Sequence, residues 1–158
     1  MSRLIVAYPL ADFENSEFSH WPLHVTLLHW FYIEAQRIAD FREDIERVAT
    51  SSSPISTRIS HEEMFGENAD IAVNVIAPTV ALRSLHNQLL QVAESHDGKL
   101  EAPQWCGQNY RPHVTHQESV SSLTGSQEIV IDSFALVEAT SDSPFARRVL
   151  DIYNLSNK

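Results

Sequence analysis

The chain has 158 residues, of which 43% are hydrophobic and 20% charged. That is ordinary globular composition at a length able to bury its own core, so disorder and a need for disulfide or metal staples are set aside. Eleven basic residues (Lys+Arg 11) stand against 21 acidic ones, a formal net charge of −10, so the basic stripe that grips long nucleic acid is not expected.

Residues 3–8 read as a buried strand, and 9–22 as a polar, turn-rich connection. Residues 23–31 are apolar and β-rich, a second strand. A helix follows over 34–50, with Ile38, Phe41, Ile45 and Val48 on one stripe at helical spacing. Ser51, Ser52, Ser53 and Pro54 end it. Residues 55–64 and 70–77 read as strands around a turn that holds Gly66 and Asn68. Pro78 and Thr79 open a second helix that stops near Gly98, its stripe formed by Leu82, Leu85, Leu89 and Val92. Residues 99–109 read as a loop and 110–117 as a strand broken at its start by Pro112. After a polar stretch at 118–127, strands at 129–139 and 147–155, joined by 140–146, are expected to pair as a hairpin that closes the sheet. Strands and helices mix without strict alternation, so the fold class is α+β. The expectation is one domain over 1–158, built as two comparable halves with one helix each.

The single cysteine, Cys106, excludes an intrachain disulfide and suits a reducing compartment. The apolar run at 1–8 is too short for a leader peptide, and no segment approaches a membrane span. A cytoplasmic monomer with no membrane partner is expected.

The chemistry concentrates in a tripeptide that occurs twice: His24-Val25-Thr26 and His113-Val114-Thr115. On a strand, residues i and i+2 share a face. Each strand therefore offers an imidazole and a hydroxyl to one side and a valine to the other. Phosphodiester cleavage needs a base for the nucleophile and an acid for the leaving oxygen, and histidine serves as either near neutral pH. The hydroxyls suit the non-bridging oxygens, where charge accumulates.

Two His-x-Thr motifs, one per half of a small α+β protein, resemble the 2H (two-histidine) phosphoesterase superfamily, which includes the 2′-5′ RNA ligase-like proteins and cyclic nucleotide phosphodiesterases. Tyr110-Arg111-Pro112-His113-Val114-Thr115 is similar to that family's second motif, with an aromatic three residues before the histidine and a proline directly before it. The segments 131–138 and 148–153 resemble its closing hairpin. The resemblance implies a bilobal, pseudo-twofold fold with a central cleft lined by His24, Thr26, His113 and Thr115. It departs at His116, where the family carries an apolar residue; by alternation His116 points away from His113.

Arg111, in phase with His113, is the candidate for phosphate binding, with Arg147 and Arg148 as further cations to watch. Trp30 shares strand parity with His24 and Thr26; Trp30, Trp105 and Tyr110 are candidates to stack on a base. His86 and His96 are expected at the surface. No histidine pair has zinc-ligand spacing, and no phosphate-binding loop or dinucleotide fingerprint occurs, so no metal and no cofactor are expected.

These readings converge on metal-independent hydrolysis of a nucleotide 2′,3′-cyclic phosphate or a 2′-5′ phosphodiester. The partner is then a nucleotide or an RNA-end phosphate, with His113 taken as base and His24 as acid, an assignment the sequence leaves reversible. Cleavage of cyclic or 2′-5′ oligonucleotide signals, 2′-5′ ligation by the reverse reaction, and phosphate binding without turnover are the alternatives.

Overall fold

The computed structural model describes residues 1–117, 127–140 and 144–157. Its framework is antiparallel sheet. The strands are β1 (Ser2–Pro9), β2 (Glu17–Phe18), β3 (His24–Ile33), β4 (Ile55–Phe65), β5 (Ile71–Ile76), β6 (Lys99–Leu100), β7 (His113–Thr115), β8 (Glu128–Ile131), β9 (Ser133–Ala139) and β10 (Arg147–Asn154). The helices are α1 (Ile38–Thr50), entered through a 3-10 turn, and α2 (Val80–Ser95). Strand order is β2-β10-β9-β1-β3-β7-β5-β4-β8, with β6 paired to β3.

Alternation along the strands assigns the two faces. Leu4 and Val6 on β1, Val25 and Leu27 on β3, and Val114 on β7 join one core with Phe41 and Ile45 of α1 and Leu82, Leu85 and Leu89 of α2. The helical stripes thus do what their spacing predicts, and the alternate sheet face is left clear of helices. Thr79 caps α2, its hydroxyl accepting the Leu82 N–H at 3.2 Å. After the helix, a Cβ on Gly98 would lie 2.7 Å from the Ala93 carbonyl oxygen, so only glycine lets the chain turn there without displacement.

Four readings of the sequence need correction. The loop read over 99–109 begins with β6, which pairs with β3. The segment 129–139 is not one strand: β8 and β9 are separated by Asp132, with β8 on β4 and β9 on β1 and β10. Strands one residue apart thus lie far apart in strand order, and the sheet curls around the core. Ile129 and Ile131 enter that core alongside Phe134 and Leu136. The connection read over 9–22 contains β2, which pairs with β10. His86 is fully buried and His96 lies against Asp44 at 2.7 Å, so neither is a surface histidine. The polar stretch 118–126 and residues 141–143 of the last connection lie outside the described residues.

Candidate active site

β3 and β7 are neighbours, with Val25 paired to Val114. Carrying that antiparallel register one residue each way sets His24 across from Thr115 and Thr26 across from His113. Both valines point into the helix-packed core. The four polar side chains therefore share the opposite face, and the two imidazoles are diagonal neighbours, a relation that sets residues ~7–8 Å apart with Cβ atoms somewhat closer.

Each imidazole is held in the same way. His24 Nδ1 donates to the carbonyl of Pro22 at 2.9 Å, and His113 Nδ1 to the carbonyl of Arg111 at 2.8 Å. In both cases the acceptor lies two residues back. A carbonyl only accepts, so Nδ1 carries the proton and Nε2 carries the lone pair of the neutral ring. Each ring also abuts an aromatic: Trp21 lies 4.3 Å from His24 and Phe65 lies 4.8 Å from His113, centroid to centroid. Burial pushes both pKa values below the ordinary histidine value, against the stabilising carbonyls. For His24 the charge of His113 pushes the same way, and for His113 that of Arg111.

β3 is shaped by its partners around Thr26. Three steps along β1, from Ala7 to Leu4, run beside five along β3, from Thr26 to Phe31. Two extra residues bulge the strand there yet keep its parity. Side chains take up the carbonyls this frees. Tyr110 donates its hydroxyl to the Thr26 carbonyl at 2.7 Å, and His86 Nδ1 donates to the Leu27 carbonyl at 2.7 Å. His86 Nε2 in turn accepts the Gly107 N–H at 2.9 Å. Both ring nitrogens are used, and the ring lies stacked on Tyr110, 3.9 Å apart and 4° from parallel. Tyr110 is 1% exposed. It has no open ring face for a base, and its expected stacking role is replaced by one of bracing β3.

The other candidates fall on either side of this centre. Arg111 makes a two-pronged ion pair with Glu63, at 2.6 and 3.0 Å, and lies over the Phe65 ring. That pair, with His61 next, holds the Glu63 carboxyl down to about 2. Arg111 is near the site but already answered by a carboxylate. Trp30 sits on the His24 face, beneath the guanidiniums of Arg3 and Arg147. Trp105 stands in a 3-10 turn, 55% exposed, and none of the described contacts ties it to the quartet. Arg148 pairs with Glu17. His116 turns to the helix-packed side and donates from Nε2 to Asn74 Oδ1 at 2.6 Å, as alternation requires. A cleft of about 870 Å³ between the 10–23 segment and β8 shares Trp21 and Pro22 with the site but holds none of the quartet. Its acids Asp12, Glu14, Glu17 and Glu128 disfavour a phosphate.

Trp21, Glu63 and the His86 brace were not read from the sequence. Trp21 had a signal: it stands three residues before His24, as Tyr110 does before His113.

A mostly antiparallel sheet with two helices on one face and paired His-x-Thr strands on the other is the 2H phosphoesterase fold. The chain belongs to the 2′-5′ RNA ligase superfamily, whose model matches residues 5–142. Among solved structures it is similar to TT0787 of Thermus thermophilus, with 17% identity, a TM-score of 0.70 and 99% of each chain covered. It is also similar to E. coli LigT in complex with NADP+, at 13% identity and TM-score 0.67, with 99% of this chain and 98% of that one covered. LigT in complex with 3′-AMP follows at 13% identity and TM-score 0.62, with 99% of each chain covered. Among curated proteins no sequence matches. No helix among the described residues is long and apolar enough to cross a membrane.

Proposed function

We propose that this protein is a metal-independent phosphodiesterase acting on a nucleotide 2′,3′-cyclic phosphate or a 2′-5′ phosphodiester. One observation carries the reading: two neutral imidazoles, each fixed through Nδ1 to the carbonyl two residues back, on adjacent antiparallel strands with a threonine across from each. A group that only binds phosphate has no use for two basic Nε2 atoms of fixed tautomer. General acid–base catalysis does.

The two like halves meet where β3 pairs with β7, and a phosphorus between them has a histidine on each side. The Nε2 of His113 takes a proton from water as its oxygen bonds to phosphorus. His24, protonated at Nε2, gives its proton to the ribose oxygen as the opposite P–O bond breaks. Each proton moved to or from a histidine is returned in the next cycle through solvent. Thr26 and Thr115 donate to the non-bridging oxygens, where charge grows. That E. coli LigT was captured with 3′-AMP and with ATP is consistent with a nucleotide in this fold.

The test is turnover of 2′,3′-cyclic mononucleotides and a 2′-5′ dinucleotide in excess EDTA. Wild-type activity should survive the chelator. His24→Ala and His113→Ala should each lose at least about 100-fold in kcat, the lower end of a general acid or base contribution, with an unchanged far-UV spectrum. An alanine variant with full turnover, or a rate abolished by EDTA, would overturn the proposal.

A further inference from the structure

The face of the sheet that carries His24 and Thr26 continues away from the quartet into a second small apolar cluster. Ile5, Ala135 and Val137 form its floor, with Phe18, Trp21 and Trp30 packed on it. Trp21 touches the ring of His24 at one end. At the other end two guanidiniums lie over one indole: Arg3 at 4.2 Å and Arg147 at 4.9 Å from the Trp30 ring.

Two like charges over one ring need counter-charge, and they are not equally supplied. Arg3 has it, through a two-pronged pair with Glu101 at 3.1 and 2.9 Å. Arg147 does not. Its Nη1 donates to the carbonyls of Pro144 and Ala146, at 3.2 and 2.9 Å, and among the described residues no carboxylate lies within ion-pair distance. Its Nε is shut away from solvent with no acceptor. The side chain is thus pinned by the indole and by neutral carbonyls, with its positive charge left over. In a chain with 21 acidic residues and a net charge of −10, an arginine that makes no ion pair with a carboxylate among the described residues and stands beside a second arginine is costly unless something negative comes to it. Arg111, by contrast, is closed by Glu63.

From these observations we infer that Arg147, Arg3 and Trp30 form an anion subsite for a second phosphate of the substrate, on the sheet face shared with His24. This rests on the phosphodiesterase reading of the quartet and narrows its substrate class. The preferred ligand is an oligonucleotide, or a nucleotide carrying a further phosphate, rather than a simple cyclic mononucleotide. The spacing fits. Arg3 is four residues along β1 from Ala7, which pairs with Thr26; at about 3.3 Å per residue that is about 13 Å. Long flexible arginine side chains cover part of that distance, which leaves a reach suited to the next phosphates of a nucleotide chain. The indole between the guanidiniums offers a face against which a base or ribose can pack.

The experiment is equilibrium binding, so that it does not depend on turnover. The protein is the His24→Ala/His113→Ala double variant, and the probes are a 2′-5′-linked adenylyl dimer with and without a 5′-phosphate. The 5′-phosphate should tighten binding at least tenfold in this background, and adding Arg147→Gln should abolish that gain. Arg3→Gln should reduce it. Equal Kd values for the two dimers, or a gain that survives Arg147→Gln, would overturn the inference. Failure of the phosphodiesterase reading would show elsewhere, as absence of turnover in the wild type.

Discussion

At the scale of single residues, protonation decides the chemistry. Burial is the leading cause that lowers both His24 and His113, so both are neutral at pH 7 in the free protein. Turnover needs one neutral and one protonated. With both values lowered, the bell for kcat/KM should peak on the acid side of the ordinary histidine value of about 6.5. Bound phosphate favours the cationic imidazole, so the kcat profile should sit higher. Rate profiles in both parameters check this, and a kcat/KM optimum above neutrality contradicts it. A second prediction concerns His29, which burial, then the charges of His113 and His86, lower to about 4. Between an unfolded value near 6.5 and that folded value, only the unfolded chain takes the proton. Stability is therefore complete above the unfolded value and falls as pH drops through the window, by on the order of 3 kcal/mol across its whole width. Buried His86, also lowered, acts in the same direction. Urea midpoints at pH 7 and pH 5 should differ, and His29→Phe should shrink the difference; identical midpoints in the wild type would count against it. The shared face of His24, Thr26, His113 and Thr115 was legible because a period of two needs only the local sequence. The Nδ1 acceptors, Pro22 and Arg111, were not, because a carbonyl has no sequence signature.

At the scale of elements, the position of Thr26 depends on segments far away in the chain. β3 bulges between Thr26 and Phe31, and Tyr110 and His86 satisfy the carbonyls there. Tyr110→Phe leaves the Thr26 carbonyl without its donor in a buried place, at a cost of about 1–3 kcal/mol. Because the same contact fixes the strand that carries His24 and Thr26, kcat should fall while KM moves less. Thermal unfolding and steady-state kinetics measure both, and a variant with native stability and native kcat would remove the brace from the account. The sequence pattern read correctly for α1, α2, β4 and β5, where periodicity is local. It failed at 129–139, where Asp132 parts two strands on different neighbours. Nothing in an alternating apolar run says which strand it will pair with. It failed again for Tyr110, whose burial follows from His86 of a helix packed across the sheet. A histidine between Leu85 and Leu89 on α2 reads as exposed because it is polar, yet both its nitrogens find partners inside.

At the scale of the whole molecule, charge decides what can approach. A net charge of −10 repels a polyanion, while Arg3 and Arg147 stand as a local exception over Trp30. A protein that holds RNA by several phosphate contacts loses ~10³–10⁵ in affinity between about 50 and 200 mM salt. Here kcat/KM for a small nucleotide substrate should change by less than about tenfold over that range, since the few contacts are short-ranged and the global field is repulsive. A steep fall with salt would point to an extended phosphate-binding surface that this charge distribution does not provide.

The central claim is that the two histidines divide the labour of acid and base. It is tested most directly by single-turnover rates on a 2′,3′-cyclic phosphate whose leaving ribose oxygen is replaced by sulfur. A thiolate departs without a proton, so the variant lacking the acid should recover on this substrate and the variant lacking the base should not. The account predicts that His24→Ala returns to within about tenfold of the wild type while His113→Ala stays impaired by at least about 100-fold. Equal rescue of both variants, or rescue of neither, would contradict it.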